Sequence, residues 1–360
     1  MLANVAYNLL MLAVLGAAVF HLSRNRTFLW FKALGVALAA TALVVAAVMG
    51  VGLERTSFAS MRLMCFGVFV HAPLYAAAGC VLLWQASRVG AVIAAVLAVL
   101  LAAIGVDAFF VEPHWLEVTH YEIRSNKIDR PLRIAVLADI QTDDVGEYER
   151  DVLRRAMAEK PDLIVFPGDY LQMPSVAAWQ AQRDLLRQAI LDAKLDAPLG
   201  MFAVAGNVDY RDWPQVFEGT RVVAIDETRS VDLDVGDGRT VRITGLSERD
   251  SFERSGADDR SAPAGVLHLC VGHRPDFALG SPQADVLIAG HTHGGQVQLP
   301  IVGPLLTLAR VPRSWAAGLN EIRPGQHLFV SRGIGMERGE APRLRFLCRP
   351  ELAILDVVPE

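Results

Sequence analysis

The chain has 360 residues, enough for two domains, with a formal net charge of −5 and a hydrophobic fraction of 52%. Residues 1–112 carry six basic and three acidic side chains, so the negative charge is concentrated after them. This acidic remainder argues against general nucleic-acid binding, which requires a basic surface. Four cysteines are too few for a disulfide scaffold, and for Cys270 and Cys348 a bridge and two buried thiols both remain open.

The first third of the chain predicts a transmembrane region of four helices within residues 1–112. Charge-free apolar stretches alternate with short polar turns, and their lengths are close to the roughly 20 residues that cross a bilayer. The alternative is a buried helical core of a soluble protein, which does not usually confine its charges to the turns. The predicted helices cover residues 2–22, 31–53, 63–86 and 89–111.

Basic residues predict how this region is oriented. Arg24, Arg26 and Arg88 lie in the first and third turns, whereas the basic residues of the second turn are partly balanced by Glu54. Because turns rich in Lys and Arg usually face the cytoplasm, the N-terminus and the remainder of the chain should face outward. We therefore expect a multi-pass protein of a bacterial-type inner membrane.

A connector over residues 113–131 is expected to join the last span to a folded domain over residues 132–360. In this domain, short apolar runs alternate with amphipathic helical patterns, which is typical of α/β layering. Near the C-terminus we expect a pair of strands, at 344–347 and 352–357.

Polar residues that can bind metal ions follow five of the predicted strands. They are Asp139 with Gln141, Asp169, Asn207, His273, and His291 with His293. Sites in α/β sheets form at the carboxyl ends of strands, so these side chains are expected to converge. Each motif alone is more often an ordinary turn, but five in series predict a site for Mn, Fe, Zn or a similar divalent ion.

The order of these motifs resembles the calcineurin-like metallophosphoesterase superfamily over roughly residues 132–358. The run Gly290–Gln296, GHTHGGQ, is similar to a branch of membrane-linked bacterial phosphoesterases, some of which cleave lipid-linked pyrophosphates. The resemblance implies a four-layer α/β domain in which two packed mixed β-sheets are flanked by helices. It also implies two divalent metal ions, from among Mn, Fe, Zn and Mg, with Mn favoured.

The resemblance assigns each candidate ligand to one of the two ions. Those implied for the first ion are Asp139, Gln141, Asp169 and His293. Those implied for the second are Asn207, His273 and His291, with Asp169 bridging both. The catalytic candidates are Asp169, Asn207 and His291.

Two residues depart from the family pattern. Gln141 stands where a histidine is usual, and its amide oxygen favours Mn or Mg over Zn. Val208 replaces the histidine of Gly-Asn-His, which is thought to contact the phosphate and to help protonate the leaving group. Loss of a proton donor typically lowers the rate by about 10²–10⁴, and least for a leaving group of low pKa.

Other residues near the motifs have two interpretations. Arg211 and Arg274 could bind a substrate phosphate or be solvated surface residues, and Asp209 could orient a ligand or only form a turn. The apolar loop at 297–308 could be part of the core, or it could line an acyl chain or touch the bilayer.

The leading functional hypothesis is hydrolysis of a phosphoester or phosphoanhydride by a water that two metal ions activate. The expected partner is a phosphorylated small molecule or lipid, because the predicted spans keep the domain at a membrane. The alternative is a catalytically weak or silent metal-binding domain that binds or senses a phosphorylated ligand, which the residues Gln141 and Val208 motivate.

Overall fold

The computed structural model describes residues 2–24, 29–54, 57–236, 238–253, 261–280, 282–304 and 306–360. The chain forms two compact units. The first comprises residues 1–111 with 340–343, and the second comprises residues 112–339 with 344–360.

The first unit is helical. Its helices are α1 (Leu2–Arg24), α2 (Leu29–Glu54), α3 (Ser57–Phe66), α4 (Ala72–Leu83) and α5 (Arg88–Val106). Single π-helical turns continue α3 into α4 and extend α5 to Val111. Most large apolar side chains of α5 point outward, which is the pattern expected of a helix that lies in lipid rather than in water.

Three helical segments in the described residues are long and apolar enough to cross a membrane. They are Asn4–Arg24, Phe58–Leu83 and Arg88–His114. The remaining predicted span, 31–53, falls in α2, where the described apolar segment is the shorter Ala39–Met49. Four spans therefore remain a prediction.

The second unit contains two β-sheets. Its helices are α6 (Glu147–Ala158), α7 (Val176–Asp192) and α8 (Glu248–Glu253). Its strands are β1 (Glu117–Ser125), β2 (Leu132–Val136), β3 (Leu163–Phe166), β4 (Met201–Val204), β5 (Val222–Ile225), β6 (Arg229–Gly236), β7 (Arg239–Gly245), β8 (Leu267–Val271), β9 (Val286–Ala289), β10 (Gln298–Leu299), β11 (Gly303–Pro304), β12 (Gly318–Arg323), β13 (Gln326–Val330) and β14 (Glu351–Pro359).

Both large sheets are mixed. The first has the order β1-β14-β2-β3-β4-β5, with β2 to β5 parallel and β14 antiparallel to β2. The second has the order β12-β13-β9-β8-β7-β6, with β13, β9, β8 and β7 parallel. The parallel strands of each sheet end at one edge, and this arrangement determines where a site can form.

The two sheets pack face to face, and helices cover their outer faces. Val136 and Val165 of the first sheet share one core with Leu269 and Ile288 of the second. On the outer face of the first sheet, α6 and α7 bury their apolar sides, and short helices cover the second sheet. Strands buried on both faces explain the all-apolar runs such as LIVF in β3. The expected layering of mixed sheets and helices is thus confirmed.

Two expectations about the chain ends of this domain are wrong. The segment 113–131 is not only a connector, because it contains β1, which pairs in parallel with β14 along its whole length. Among its nine residues only Ile123 is buried, so its polar pattern resembles a linker. The segment 344–347 forms one isolated bridge instead of a strand, because Arg345 turns into the interior and binds backbone carbonyls there.

Candidate metal centre

All seven predicted ligands lie at the carboxyl ends of central parallel strands. In chain order they are Asp139 and Gln141 after β2, Asp169 after β3, Asn207 after β4, His273 after β8, and His291 and His293 after β9. The first sheet thus supplies the carboxylates and amides, and the second supplies the three imidazoles. Six of the seven residues are buried, and Asn207 is exposed.

Asn207, His273 and His291 form one cluster, which we call the histidine side. The Nε2 atom of His273 lies 3.0 Å from Oδ1 of Asn207 and 3.2 Å from Nδ1 of His291. It also lies 3.3 Å from Oδ2 of Asp169. Donor atoms of Asp169, His273 and His291 all lie within 4.8 Å of one another, a spacing that could hold one metal ion.

Asp139, Gln141 and His293 form a second cluster, which we call the glutamine side. Oε1 of Gln141 is in close contact with Nε2 of His293. Both carboxylate oxygens of Asp139 accept a hydrogen bond from the backbone N–H of His291, at 2.9 and 3.1 Å. Asp139 therefore connects the two sides through the chain segment that carries both histidines.

The backbone at the centre is strained at five of the seven residues. The φ angles of these five are positive: Asp139 (50°), Gln141 (31°), Asp169 (57°), His291 (72°) and His293 (48°). Left-handed backbone is unfavourable for residues with a Cβ atom, by about 1–3 kcal/mol each. Such strain is typical of functional sites, where the surrounding structure holds side chains in a required position.

Two glycines allow the strand ends to approach the carboxylates. A Cβ atom on Gly206 would lie 2.1 Å from Oδ1 of Asp169, and one on Gly290 would lie 2.4 Å from Oδ2 of Asp139. Any other residue would displace a carboxylate, which explains glycine at both positions of the motifs.

Residues behind the ligands fix their orientation. Nδ1 of His273 lies 2.8 Å from the carbonyl oxygen of Pro167 and donates its hydrogen to it. This contact orients the ring so that Nε2 faces the centre. The Asp209 carboxylate accepts hydrogen bonds from the backbone N–H groups of Asp169 (2.8 Å), Tyr170 (2.8 Å) and Gly206 (2.7 Å). Asp209 is therefore more than a turn residue, because it joins the turns that carry Asp169 and Asn207.

The charges of the centre favour a cation. Burial raises the pKa of Asp139 to about 7. Burial also opposes ionisation of Asp169, but the imidazole of His273 lowers its pKa to about 2. Burial opposes a charge on His273, but Asp169 raises its pKa to about 9, whereas burial lowers the pKa of His291 to about 3. The Asp169 carboxylate, which favours a proton on His273, can also attract a divalent ion, and the bound ion would displace that proton.

The donor atoms also suit divalent ions chemically. Carboxylate oxygens, amide oxygens and imidazole nitrogens are ligands for Mn, Fe and Zn. Six of the seven residues that carry them are buried, and added Cβ atoms at Gly206 and Gly290 would overlap the carboxylates of Asp169 and Asp139. The described residues at the centre thus fit the metal ions that the sequence predicts.

The two predicted phosphate-binding arginines differ in location. Nη1 of Arg274 lies 3.5 Å from Nε2 of His291, and Nε of Arg274 pairs with Glu248 at 3.1 Å. The guanidinium groups of Arg274 and Arg310 both contact the ring of Phe252, at 4.8 and 4.5 Å from its centroid. Arg211 is exposed, and no contact described for it reaches the predicted ligands.

The apolar loop after the histidine motif forms the short β10–β11 hairpin and its continuation. Ile301, Val302, Leu306 and Leu308 are exposed, so the interpretation as core is wrong for these four. The carbonyl oxygen of Leu308 lies 3.3 Å from Nε2 of His291, which places the end of this loop beside the histidine side. Leu305 lies outside the described residues.

Three residues of the centre were missed by the sequence analysis. Arg345 is fully buried, and its Nη2 lies 3.5 Å from Nδ1 of His293. Gln172 accepts a hydrogen bond from the side chain of Gln141, and Glu337 accepts one from the side chain of Gln172. None comes directly after an apolar run and a small residue, so the pattern that identified the ligands could not find them. Cys270 and Cys348 are separate buried thiols.

Comparisons with known proteins agree with this geometry. A family described as Calcineurin-like phosphoesterase matches residues 132–295. The metallophosphoesterase YkuE of Bacillus subtilis is 30% identical over 261 residues, which cover 69% of this chain and 87% of YkuE. Phosphodiesterase YaeI of Escherichia coli is 27% identical over 263 residues, 69% of this chain and 91% of YaeI.

A third relative has a more specific name. UDP-2,3-diacylglucosamine pyrophosphatase LpxG of Chlamydia muridarum is 24% identical over 308 residues, 68% of this chain and 90% of LpxG. The family match begins at β2 and ends just after His293, so it contains every predicted ligand. The chain belongs to the calcineurin-like metallophosphoesterases, a family of metal-dependent hydrolases.

Proposed function

We propose that the chain hydrolyses a phosphoester or phosphoanhydride bond with two divalent metal ions held at the strand ends. The observation that carries the proposal is that Asp169 contacts residues of both sides: its Oδ2 lies 3.3 Å from Nε2 of His273, and its carbonyl oxygen accepts a hydrogen bond from the backbone N–H of Gln141 at 2.9 Å. Bound metal ions would act as Lewis acids and supply an activated water at neutral pH. Asp169 would be the shared ligand, and Asn207 and His291 would border the reacting phosphate.

Val208 indicates which leaving group this centre can expel. Its backbone N–H donates to Oδ1 of Asp169 at 3.0 Å, so the residue still supports the shared ligand. Its side chain, unlike the family's histidine, has no proton to give. A phosphoanhydride leaves as a phosphate of low pKa and needs little protonation, so it is the substrate class that this loss affects least.

Arg274 supports recognition of a second phosphate group. Its guanidinium contacts His291 of the histidine side. The ring of Phe252 contacts the guanidinium groups of both Arg274 and Arg310. Two planar guanidinium groups suit the oxygens of a diphosphate better than those of a single phosphate, because each can form two parallel hydrogen bonds.

The exposed apolar loop supports a membrane-associated substrate, lipid-linked or nucleotide-lipid. Ile301 and Val302 lie at the tip of the β10–β11 hairpin, and Leu308 lies beside His291. Exposed apolar side chains beside a phosphate site are suited to an acyl chain. The name of the relative LpxG, UDP-2,3-diacylglucosamine pyrophosphatase, is in line with this substrate class.

We place the chain in a bacterial-type inner membrane as a multi-pass protein whose catalytic domain faces outward. The three candidate spans support membrane embedding, and the basic first and third turns, together with the fourth predicted span at 31–53, support the outward orientation. A reporter that is active only in the cytoplasm, fused after Glu360, should stay inactive. Strong reporter activity would overturn the outward orientation.

Turnover of an aryl phosphodiester by the detergent-solubilised full chain tests the hydrolase proposal. We expect Mn²⁺-dependent release of the aryl alcohol, and none from the Asp169→Ala variant. If the unsubstituted chain is no faster than this variant, the site is catalytically silent and the alternative of a sensing domain is favoured.

A paired measurement tests the lipid substrate. Replacing Ile301 and Val302 with Ser should lower activity on a lipid-linked diphosphate by about 30-fold, because each side chain loses roughly 1 kcal/mol of apolar contact. Activity on the soluble aryl phosphodiester should be unchanged. Equal loss on both substrates would show that the hairpin supports the fold instead.

A further inference from the structure

Gln141 has an amide with two unlike ends, and only its oxygen can bind a metal ion. An imidazole at this position would present a nitrogen lone pair, but a glutamine that turned its NH₂ group inward would repel the ion. The orientation of this amide therefore decides whether the glutamine side can function. Neighbouring residues fix that orientation.

The first fixed point is a backbone donor. The N–H of Arg338, which can only donate, lies 2.5 Å from Oε1 of Gln172. This contact identifies the oxygen end of the Gln172 amide without reference to any other side chain. The Nε2 end then donates to Oε2 of Glu337 at 3.3 Å. The backbone N–H of Gln172 also donates to the Thr142 carbonyl, at 3.2 Å.

The second step passes this orientation to the centre. Oε1 of Gln172, already fixed as an acceptor, receives a hydrogen bond from Nε2 of Gln141 at 3.0 Å. The opposite end of the Gln141 amide must then be its oxygen, and this atom contacts Nε2 of His293. Gln141 is fully buried, so no water is available to stabilise the reversed orientation.

The histidine motif holds the same segment from the other side. Oε1 of Gln296, the last residue of GHTHGGQ, accepts a hydrogen bond from the backbone N–H of Glu337 at 2.6 Å. Nε of Arg338 donates to the carbonyl oxygen of Gln141 at 3.1 Å. The Glu337-Arg338 segment therefore contacts both the motif that carries His293 and Gln141 itself.

We propose that Gln172 is a positioning residue that aims the oxygen of Gln141 at the metal ion of the glutamine side. It would make an amide serve where the family has a histidine. This inference rests on the proposed two-metal function, and it adds a dependence that a histidine ligand would not have.

Mn²⁺ affinity of the full chain in detergent, measured by electron paramagnetic resonance titration, tests this role. Gln172→Met keeps the length of the side chain but removes both hydrogen-bonding ends. We expect one of two Mn²⁺ sites to weaken by about 10–100-fold, the usual effect of removing a residue that orients a ligand. Gln188→Met is the matched control, because Gln188 is exposed on α7 and bonds only to Asp192 in the described contacts.

A second background separates positioning from simple damage to the fold. In the Gln141→His variant, the imidazole no longer depends on an amide orientation. Adding Gln172→Met to this variant should then change Mn²⁺ affinity by less than about threefold, whereas it weakens one site strongly when Gln141 is present. Equal weakening in both backgrounds would overturn the positioning role.

The remaining outcomes distinguish this inference from the function on which it rests. If the unsubstituted chain binds fewer than two Mn²⁺ ions, the two-metal proposal fails and this one fails with it. If the unsubstituted chain binds two ions and Gln172→Met binds both as tightly, only the positioning role of Gln172 is overturned.

Discussion

The histidine side and the glutamine side of the centre both lie at strand ends and share the end of β9, but they are supported in different ways. On the histidine side, His273 is oriented by a single backbone carbonyl, that of Pro167. On the glutamine side, Gln141 is oriented through Gln172 and the Glu337-Arg338 segment. On the proposed two-metal function, this difference means that an amide in place of an imidazole depends for its orientation on residues outside the motif.

Asp169 is the proposed ligand of both ions, so its replacement should have the largest effect. We expect Asp169→Asn to abolish binding of at least one metal ion and to lower hydrolysis by about 10³-fold or more, since losing the shared ligand removes several kcal/mol of stabilisation. Metal content per chain and turnover of the aryl phosphodiester measure these effects. A variant that keeps both metal ions would show that the two sides are not joined through Asp169.

Single replacements on each side should separate them. We expect His273→Ala to lower Mn²⁺-dependent activity more than Gln141→Ala does, because a neutral amide oxygen is a weaker ligand than imidazole for these ions. The expected losses are about 10²-fold or more for His273→Ala and about tenfold for Gln141→Ala. Their relative size is the decisive measurement. If Gln141→Ala were the more harmful variant, the glutamine side would hold the essential ion.

Arg274 lies on the histidine side only, which gives a third comparison. We expect Arg274→Gln to raise KM for a diphosphate substrate by about 10-fold or more, because a hydrogen bond to a charged group contributes about 1.5–3 kcal/mol. Arg211→Gln, the matched change at an exposed arginine near the Asn207 motif, should leave KM unchanged. If Arg274→Gln also leaves KM unchanged, Arg274 does not bind the substrate.

The position of the candidate ligands at strand ends could be predicted because it follows from topology. An apolar strand followed by a small residue (alanine or glycine) and then a polar residue places that polar residue at a sheet edge, so Asp139, Asp169 and His273 could be found without coordinates. The same reasoning failed for β1, because an edge strand with one buried residue has too little apolar signal to be distinguished from a linker.

The residues that orient the ligands could not be predicted in this way. Gln172 acts through contacts with Gln141 and Arg338, residues 31 and 166 positions away along the chain. Arg345 looks like part of a strand until its guanidinium is seen to bind buried carbonyls. Such roles depend on the distance between side chains in the fold, which no local pattern encodes.

The smallest and most specific change should come from restoring the usual ligand. In Gln141→His, an imidazole nitrogen replaces the amide oxygen beside His293, so the glutamine side should shift its preference from Mn²⁺ toward Zn²⁺ by several-fold. Competition between the two ions, followed by the Mn²⁺ resonance signal, measures this ratio. The histidine side should keep its preference, because its ligands are unchanged. A shift at both sites, or at neither, would mean that the metal selectivity of this centre does not depend on the ligand at position 141.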